Sequence, residues 1–275
     1  MKAAAFDHLW ADSPAHAVVL IAAGAGGAKA CSGSQSLGPM LNLRLVQVDQ
    51  LVDVSRLEAL RGFELQADVL RIGAAVTHAR IEDGELPDVT HGLLPAVAAD
   101  IAYRAVRNRG TLGGSLAHAD PAADWVATMC LLDAGIVLLG EQGERKLRAT
   151  EFLLGPFTTA LQPDEIIVAI EVPRFSPGAR WAYRKTCRKP GEFAEAIGAV
   201  WIDSQRGVAR VVMGSLGGVP WVLEGRDEVA GLAQPAALRA ALDDAGIEDG
   251  YEREVHAAML RRALADIDSF KAPSP

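Results

Sequence analysis

The chain has 275 residues, of which 50% are hydrophobic and 23% charged, and its net charge at pH 7 is −8. This length allows one large domain or two modest ones, and the acidic balance argues against nucleic-acid binding, which needs a basic surface. The three cysteines are far apart and form no CxxC pair, which excludes a zinc or iron–sulfur site built from paired cysteines. The N-terminal segment lacks the apolar core of a signal peptide, and the longest apolar run is too short to span a bilayer. We therefore expect a cytoplasmic protein with no membrane insertion and no nucleic-acid partner.

The first predicted helix ends at a cluster of glycines. Ser13 and Pro14 suit the N-cap and the first position of a helix, and Gly24–Gly27 suit its end. A Rossmann turn would instead require a helix after the glycines and an acidic residue about 20 positions further on. A short strand candidate at 28–33 follows, so we interpret the glycines as a helix stop.

Short strands alternate with helices up to residue 174, which is typical of an α+β fold. In chain order the patterns predict a loop containing Pro39, a strand within 45–55, two strands with a turn within 64–77, helices starting at 77 and spanning 91–106, a glycine-rich loop at 107–115, a helix at 119–134 with Pro121 in its first turn, a hairpin at 134–153 turning at Gln142-Gly143, and a strand at 164–174. Beyond Pro173, the patterns predict strands within 180–203 and 207–223 and amphipathic helices at 234–247 and 251–270.

Two runs of small polar residues, Ser32–Ser36 and Thr111–Ser115, are candidate anion-binding loops. Neither contains a lysine, so neither is a Walker-type loop. Successive backbone amides in tight turns form concave anion sites, and glycine lets the backbone approach a phosphate closely. Each run alone is more simply interpreted as an ordinary turn, but two facing runs could bind a pyrophosphate without side-chain cations.

Three segments share the order and spacing of motifs in one known family. Its first flavin motif, Ala-Gly-Gly-x-Ser/Asp-Leu followed by proline, is similar to SGSQSLGPMLNLRL at 32–45. Its second, Arg-Asn-x-Gly-Thr-x-Gly-Gly-Asn/Ser with Ala-x-Pro-x-x-Asp, is similar to RNRGTLGGSLAHADPAAD at 107–124. The start of its C-terminal domain is similar to YRKTCRKPGEFAEAIGAV at 183–200. Over nearly its whole length the chain thus resembles the FAD-binding medium subunits of molybdenum hydroxylases, the xanthine dehydrogenase and aerobic carbon monoxide dehydrogenase family.

The resemblance implies an α+β fold with two domains. The first, at 1–174, is an FAD-binding domain of two subdomains (PCMH/vanillyl-alcohol-oxidase-like), at about 1–53 and 54–174. The second, at 175–275, is a smaller C-terminal domain of the carbon monoxide dehydrogenase flavoprotein type, a sheet with helices.

The resemblance also implies that both loops hold non-covalent FAD, the first through backbone amides on the pyrophosphate, the second as a pyrophosphate and ribose cradle. The implied cofactor-binding residues are Ser32, Gly33, Ser34, Gln35, Ser36 and Leu37 in the first motif and Gly110, Thr111, Gly113, Gly114 and Ser115 in the second. Ser34 stands where the family usually has its second glycine. A positive φ there would cost a non-glycine residue about 1–2 kcal/mol, unless the hydroxyl compensates by reaching a phosphate oxygen.

Four further residues match cofactor positions of the family. Asp124 matches an acid that binds the adenosine half, although an acid in the first turn of a helix is also favourable by itself. His118 either contacts the flavin or is a surface histidine. Leu161 matches a residue packed beside the isoalloxazine, and Lys185 matches a cation near the ring, where it would raise the flavin potential. An alignment slip of one residue would exchange Lys185 for Arg184.

The implied function is that of an electron-transfer subunit. A molybdopterin-binding large subunit would oxidise the substrate, a small subunit would pass electrons from [2Fe–2S] clusters to the FAD held here, and NAD⁺, O₂ or a quinone would be the external acceptor. The molybdenum cofactor and the [2Fe–2S] clusters are expected only in the partner subunits, and a dimer of heterotrimers is implied. The alternatives are a stand-alone flavin oxidase and a flavin-less assembly subunit.

Overall fold

The computed structural model describes residues 2–248 and 250–269 and shows a mixed α+β architecture. Its first part is a three-stranded parallel sheet in the order β1-β3-β2. The elements of this part are β1 (Asp7–Trp10), α1 (Pro14–Ala23), β2 (Ala28–Cys31), α2 (Leu37–Asn42) and β3 (Gln50–Asp53). The first small-residue loop therefore leaves the sheet at the C-terminal end of β2.

The start and the stop of α1 confirm the helix prediction. The Ser13 hydroxyl accepts a hydrogen bond from the His16 amide at 3.0 Å, and Pro14 is the first helical residue. Gly24–Gly27 connect the end of α1 to the start of β2, and Gly26 has a φ of +90°. These glycines lie at the N-terminal end of β2, away from the edge where the first loop begins. The predicted loop around Pro39 is wrong, because Pro39 lies in the first turn of α2, where an amide has no partner within the helix.

A five-stranded antiparallel sheet in the order β4-β5-β10-β6-β7 follows. The elements of this part are α3 (Glu58–Arg61), β4 (Phe63–Leu65), β5 (Val69–Gly73), α4 (His78–Glu82), α5 (Leu93–Ala99), α6 (Arg104–Arg107), α7 (Leu112–His118), α8 (Asp124–Leu132), β6 (Gly135–Gly140), β7 (Gly143–Arg148), α9 (Ala149–Phe152), β8 (Leu153–Gly155), β9 (Thr158–Thr159) and β10 (Ile166–Pro173). The strands of the five-stranded sheet agree with the predicted pattern, except that Gly140 pairs with Gly143, so the hairpin turns one residue earlier than predicted. The sequence did not predict the short helices α3 and α9 or the separate two-stranded sheet of β8 and β9.

The helices near the second loop differ from the prediction. The helix predicted at 91–106 is interrupted between α5 and α6, where Ala102 has a φ of +44°. The predicted glycine-rich loop is partly helical, because α7 begins at Leu112 and the Thr111 hydroxyl caps it by accepting from the Gly114 amide. The next helix begins only at Asp124, with Pro121 in the turn before it.

The last part is a four-stranded antiparallel sheet in chain order, followed by helices. The elements of this part are β11 (Arg180–Thr186), β12 (Ala196–Asp203), β13 (Val208–Gly214), β14 (Trp221–Glu224), α10 (Arg226–Gly231), α11 (Pro235–Asp244) and α12 (Gly250–Ser269). The sequence predicted the two long helices and missed α10. Residue 270, where the last helix was predicted to end, lies outside the described residues.

Both faces of the two central strands, β12 and β13, are buried, which agrees with their largely apolar sequences. Ile197, Ala199 and Trp201 of β12 pack into the main core with α8, whereas Val200 between them packs with α10, α11 and α12. The main core thus contains side chains from both the five-stranded and the four-stranded part of the chain. No helix among the described residues is long and apolar enough to cross a bilayer.

A buried polar pair fixes α4 against α8. The Trp125 indole donates a hydrogen bond to Nδ1 of His78 at 3.0 Å, and both side chains are buried. Because Nδ1 accepts this bond, the proton of the neutral ring lies on Nε2. Burial, reinforced by the charge of Arg107, lowers the pKa of His78 to about 4, so the ring is neutral at pH 7.

The pH dependence of stability tests this pair. The pKa of His78 is 6.5 in an ordinary environment and about 4 in the fold, so the unfolded chain takes up the proton first as the pH falls. The stabilising contribution is complete above about pH 6.5 and is lost as the pH falls through 4. Between pH 7 and pH 4 we expect the wild type to lose about 3 kcal/mol more free energy of unfolding than His78→Asn, whose Oδ1 can still accept from Trp125. Urea denaturation across this pH range measures the difference, and equal pH slopes would contradict a neutral buried His78.

Candidate functional site

The two small-residue motifs meet through their backbones. The first loop, 32–36, follows β2, and the second motif, 110–115, follows α6. A Cβ atom added to Gly33 would lie 2.0 Å from the carbonyl oxygen of Arg109 and 2.9 Å from Cα of Gly110. No side chain fits in that space, so glycine at position 33 is what allows the motifs to touch.

The first loop has a conformation that suits an anion site. Ser34 has a φ of +56°, in the left-handed region. This is the conformation that costs a non-glycine residue free energy, at the position where the family usually has glycine. The Gln35 side chain donates to the Gly33 carbonyl at 3.0 Å, and the Gly38 amide donates to the Ser34 carbonyl at 2.9 Å at the start of α2. A left-handed residue among right-handed or extended neighbours turns successive amides toward one side.

The backbone amides of this loop have no protein acceptors in the part of the chain that the structure describes. Within residues 2–248 and 250–269, no backbone amide from Ser32 to Ser36 donates a hydrogen bond to another protein group. The Ser32 hydroxyl is also buried and without a partner there. A buried polar atom without a partner is costly and rare in folded proteins, so it points to a ligand or an ordered water. These free donors fit the pyrophosphate of FAD.

The second motif has a different chemistry, because five of its six amides already have protein acceptors among the described residues, and only the Thr111 amide has none. The acceptors are the carbonyls of Val106 for Gly110, Val76 for Leu112, Ala74 for Gly113 and Thr111 for Ser115, and the hydroxyl of Thr111 for Gly114. Its glycines allow close packing: a Cβ on Gly113 would lie 2.5 Å from Cβ of Ala74, and one on Gly110 would lie 2.8 Å from Nε2 of His78. The second motif therefore packs against the first loop and supports it.

Asp124 and Lys185 lie together in a buried cluster between α8 and β11. The Lys185 ammonium donates to Oδ1 of Asp124 and to the carbonyl of Asp100, each at 2.8 Å, and the Tyr183 hydroxyl donates to the same Oδ1 at 2.8 Å. The side chains of Asp124 and Lys185 are 7% and 8% exposed, so water screens their attraction only weakly. Burial raises the pKa of Asp124, and the Lys185 charge and the two hydrogen bonds oppose this effect.

The remaining predicted residues lie apart from this cluster. The His118 ring packs at 5.1 Å from the exposed Phe157 ring, and burial lowers the pKa of His118. Leu161 follows β9 and packs, partly buried, against the main core. Among the described residues, the His118 side chain makes no hydrogen bond or ring contact with the other predicted residues.

Sequence reasoning missed His78 and the Asp100 carbonyl. His78 follows the helix-capping Thr77, and nothing in the local pattern shows that its ring lies against Gly110. The Asp100 carbonyl belongs to the unpredicted break between α5 and α6. Both contacts are long-range in the chain, so local periodicity carries no signal for them.

Comparison with known proteins agrees with this arrangement. The model of a family described as the FAD binding domain in molybdopterin dehydrogenase matches residues 4–175. The 6-hydroxypseudooxynicotine dehydrogenase complex subunit alpha of Paenarthrobacter nicotinovorans is 37% identical over 220 residues, covering 79% of this chain and 74% of that protein. The carbon monoxide dehydrogenase medium chain of Hydrogenophaga pseudoflava is 35% identical over 274 residues, covering 94% and 96%.

The fold agrees as well as the sequence. A solved chain of carbon monoxide dehydrogenase from Hydrogenophaga pseudoflava has a TM-score of 0.86 and 33% identity, covering 98% of this chain and 99% of that one. The predicted family and fold class are thus confirmed. The chain belongs to the FAD-binding domain family of the molybdopterin dehydrogenases and is an FAD-binding component of an oxidoreductase.

Proposed function

We propose that this chain is the flavin-carrying subunit of a multi-subunit molybdenum hydroxylase and that Ser32–Ser36 hold the FAD pyrophosphate. The free amides of this loop and the buried, unpartnered Ser32 hydroxyl carry the proposal. When bound, FAD supplies the exchange between one-electron donors and two-electron acceptors. The chain itself binds the cofactor, orients it and supplies the charges around it.

The two motifs have separate tasks in this proposal. The first loop donates its amides and the Ser32 hydroxyl to the pyrophosphate, with no side-chain cation. The second motif fixes the position of that loop through the contact of Gly33 with Arg109 and Gly110. Thr111 caps α7 by accepting from the Gly114 amide, and its hydroxyl proton remains available to donate to the ligand.

Asp124 and Lys185 act at one end of the FAD in this proposal. Their polar atoms lie 2.8 Å apart, so they do not suit separate roles at the adenosine half and the flavin ring. An adjacent acceptor and donor complement the pyrimidine edge of the isoalloxazine, which offers an N–H beside carbonyl oxygens. We therefore place both at the ring. Asp124 offsets most of the charge of Lys185, so the cluster acts through directed hydrogen bonds more than through net positive charge.

The names of the relatives support the proposed partners, and the arrangement of the sheets supports the proposed domains. The relatives' names describe a medium chain and a subunit of a dehydrogenase complex, which supports a molybdopterin-binding large subunit and a [2Fe–2S] small subunit as partners in a dimer of heterotrimers. NAD⁺, O₂ and a quinone are the candidate acceptors, and the cytoplasm is the proposed location. The chain leaves the five-stranded sheet at Pro173 and enters the four-stranded sheet at Arg180, which supports domains at 1–174 and 175–275 and subdomains at about 1–53 and 54–174.

A matched pair of glycine variants tests the FAD site. In Gly33→Ala the new methyl group would overlap the Arg109 carbonyl, whereas in Gly38→Ala it would meet nothing within 4 Å. Overpacking of this kind costs about 1–3 kcal/mol, so we expect Gly33→Ala to weaken FAD binding about 10- to 100-fold and Gly38→Ala to retain wild-type affinity. Titration of the deflavinated chain with FAD, followed by flavin fluorescence, measures both affinities.

The wild-type chain must first show flavin absorbance, with FAD released intact on denaturation. A colourless chain that cannot be reconstituted would support the flavin-less assembly subunit instead. If Gly33→Ala folds and binds FAD as tightly as Gly38→Ala, the two-motif site is wrong.

Purification from native cells tests the proposed complex. A tagged chain should copurify with two further subunits and with molybdenum and iron in fixed ratio to FAD. The iron must come from a partner, because this chain has no paired cysteines to ligate an iron–sulfur cluster. Subunit analysis and metal analysis of the same fractions provide the measurement. A chain that purifies alone, with FAD and substrate-dependent oxidase activity, would establish the oxidase alternative and contradict the electron-transfer role.

A further inference from the structure

Three side chains that can ligate a metal converge on one face of the small parallel sheet. His8 of β1, Cys31 of β2 and Asp53 of β3 each offer one ligand atom, and these atoms all lie within 4.8 Å of one another. We propose that this cluster is a binding site for a zinc-like divalent cation. The cluster adjoins the first loop, because Cys31 directly precedes Ser32, but the proposal does not depend on the proposed FAD function.

The register of the sheet places all three side chains on one face. Trp10 of β1 and Cys31 of β2 both pair with Asp53 of the central strand, so these residues point to the same side. His8 lies two residues before Trp10 on β1, and side chains two apart along a strand share a face. Backbone pairing therefore fixes the shared face of the three side chains.

The ligand set suits zinc. Cysteine, histidine and aspartate are all common zinc ligands, and three protein ligands leave a fourth position for water. Burial and the Asp53 charge raise the pKa of the Cys31 thiol to about 12, so binding of the cation displaces the thiol proton to solvent. Around a tetrahedral ion with bonds of about 2.0–2.3 Å, ligand atoms lie about 3.3–3.8 Å apart. The His8 Nε2 and Asp53 Oδ2 atoms already lie 3.5 Å apart. The His8 side chain is 37% exposed on an edge strand, so it can turn toward a cation without disturbing the core.

The surroundings orient the ligands as metal sites require. The Ser55 amide donates to Oδ1 of Asp53 at 2.8 Å, which leaves Oδ2 facing His8. The Trp10 ring packs edge-on against the His8 ring at 4.6 Å between centroids. Cys31 is buried, and no disulfide ties it to another cysteine in the described chain. A contact between His8 and Asp53 alone would not account for the Cys31 sulfur within 4.8 Å of both ligand atoms.

Cobalt substitution tests the site on the full chain, with Co²⁺ alone as the probe. A cobalt–thiolate bond gives a near-ultraviolet charge-transfer band, and tetrahedral cobalt gives visible bands at wavelengths beyond the flavin absorbance. We expect both sets of bands to saturate at one equivalent and to disappear when Zn²⁺ is added. A folded wild-type chain that shows neither set of bands would overturn the proposal.

Variants locate the site. Cys31→Ser should abolish the charge-transfer band, and His8→Ala and Asp53→Asn should each weaken cobalt binding more than about 100-fold, beyond what outer-shell changes cost. Cys187→Ser and His16→Asn change a cysteine and a histidine outside the cluster, and both should bind like the wild type. Bands that survive in Cys31→Ser, or that vanish in Cys187→Ser, would overturn the assignment. His8 lies on an exposed edge strand, so His8→Ala still tests the site if Cys31→Ser does not fold. The FAD content of each variant is measured separately, so that loss of cobalt binding is not confused with loss of FAD.

Discussion

The backbone contact of Gly33 with Arg109 and Gly110 is the constraint on which the proposed site depends. It joins the parallel sheet, which carries the first motif, to the helical segment that carries the second. Hydrogen bonding is divided across this contact. Apart from the Thr111 amide, the amides of the second motif are bonded to protein carbonyls or to the Thr111 hydroxyl, whereas those of the first loop have no protein acceptor among the described residues. One side is thus a rigid support and the other a set of donors oriented before any ligand arrives, which reduces the entropic cost of binding.

Contacts continue from this point into the C-terminal sheet. Gly110 lies against His78, His78 accepts from Trp125, and Trp125 follows Asp124, which binds Lys185 and Tyr183 of β11. Asp124 and Lys185 are buried, and removing either partner of a buried pair typically costs about 3–5 kcal/mol, because it leaves an uncompensated charge. Burial and the Asp124 charge raise the pKa of the Tyr183 hydroxyl, so it remains a donor. A continuous series of contacts therefore links β11 of the C-terminal sheet, through α8 and His78, to Gly110 beside the first loop.

Much of this fold could be predicted from local patterns. Ser13, Pro14 and the glycines after α1 mark a helix by capping chemistry alone, and the strands of both antiparallel sheets follow from apolar runs and turns. The predictions failed where long-range contacts decide. Two adjacent glycines favour a loop, yet Gly113 lies in α7, where its amide donates to the Ala74 carbonyl and its missing side chain lets α7 approach Ala74 closely. The site residues came from motif resemblance, which identified Asp124 and Lys185 separately but could not show that they touch.

Ser34 shows how conformational cost and binding are related in this loop. A left-handed backbone costs a non-glycine residue about 1–2 kcal/mol, and the fold retains it at φ +56° with the support of the Gly38 amide on the Ser34 carbonyl and of Gln35 on Gly33. An extended Ser34 would relieve the cost but would turn its amide away from those of its neighbours, because a concave set of amides needs a left-handed residue. The Ser34 hydroxyl is 3.5 Å from the Ser32 carbonyl, too weak a bond to offset the strain by itself. The strained conformation is therefore best explained by the orientation of the amides that it creates.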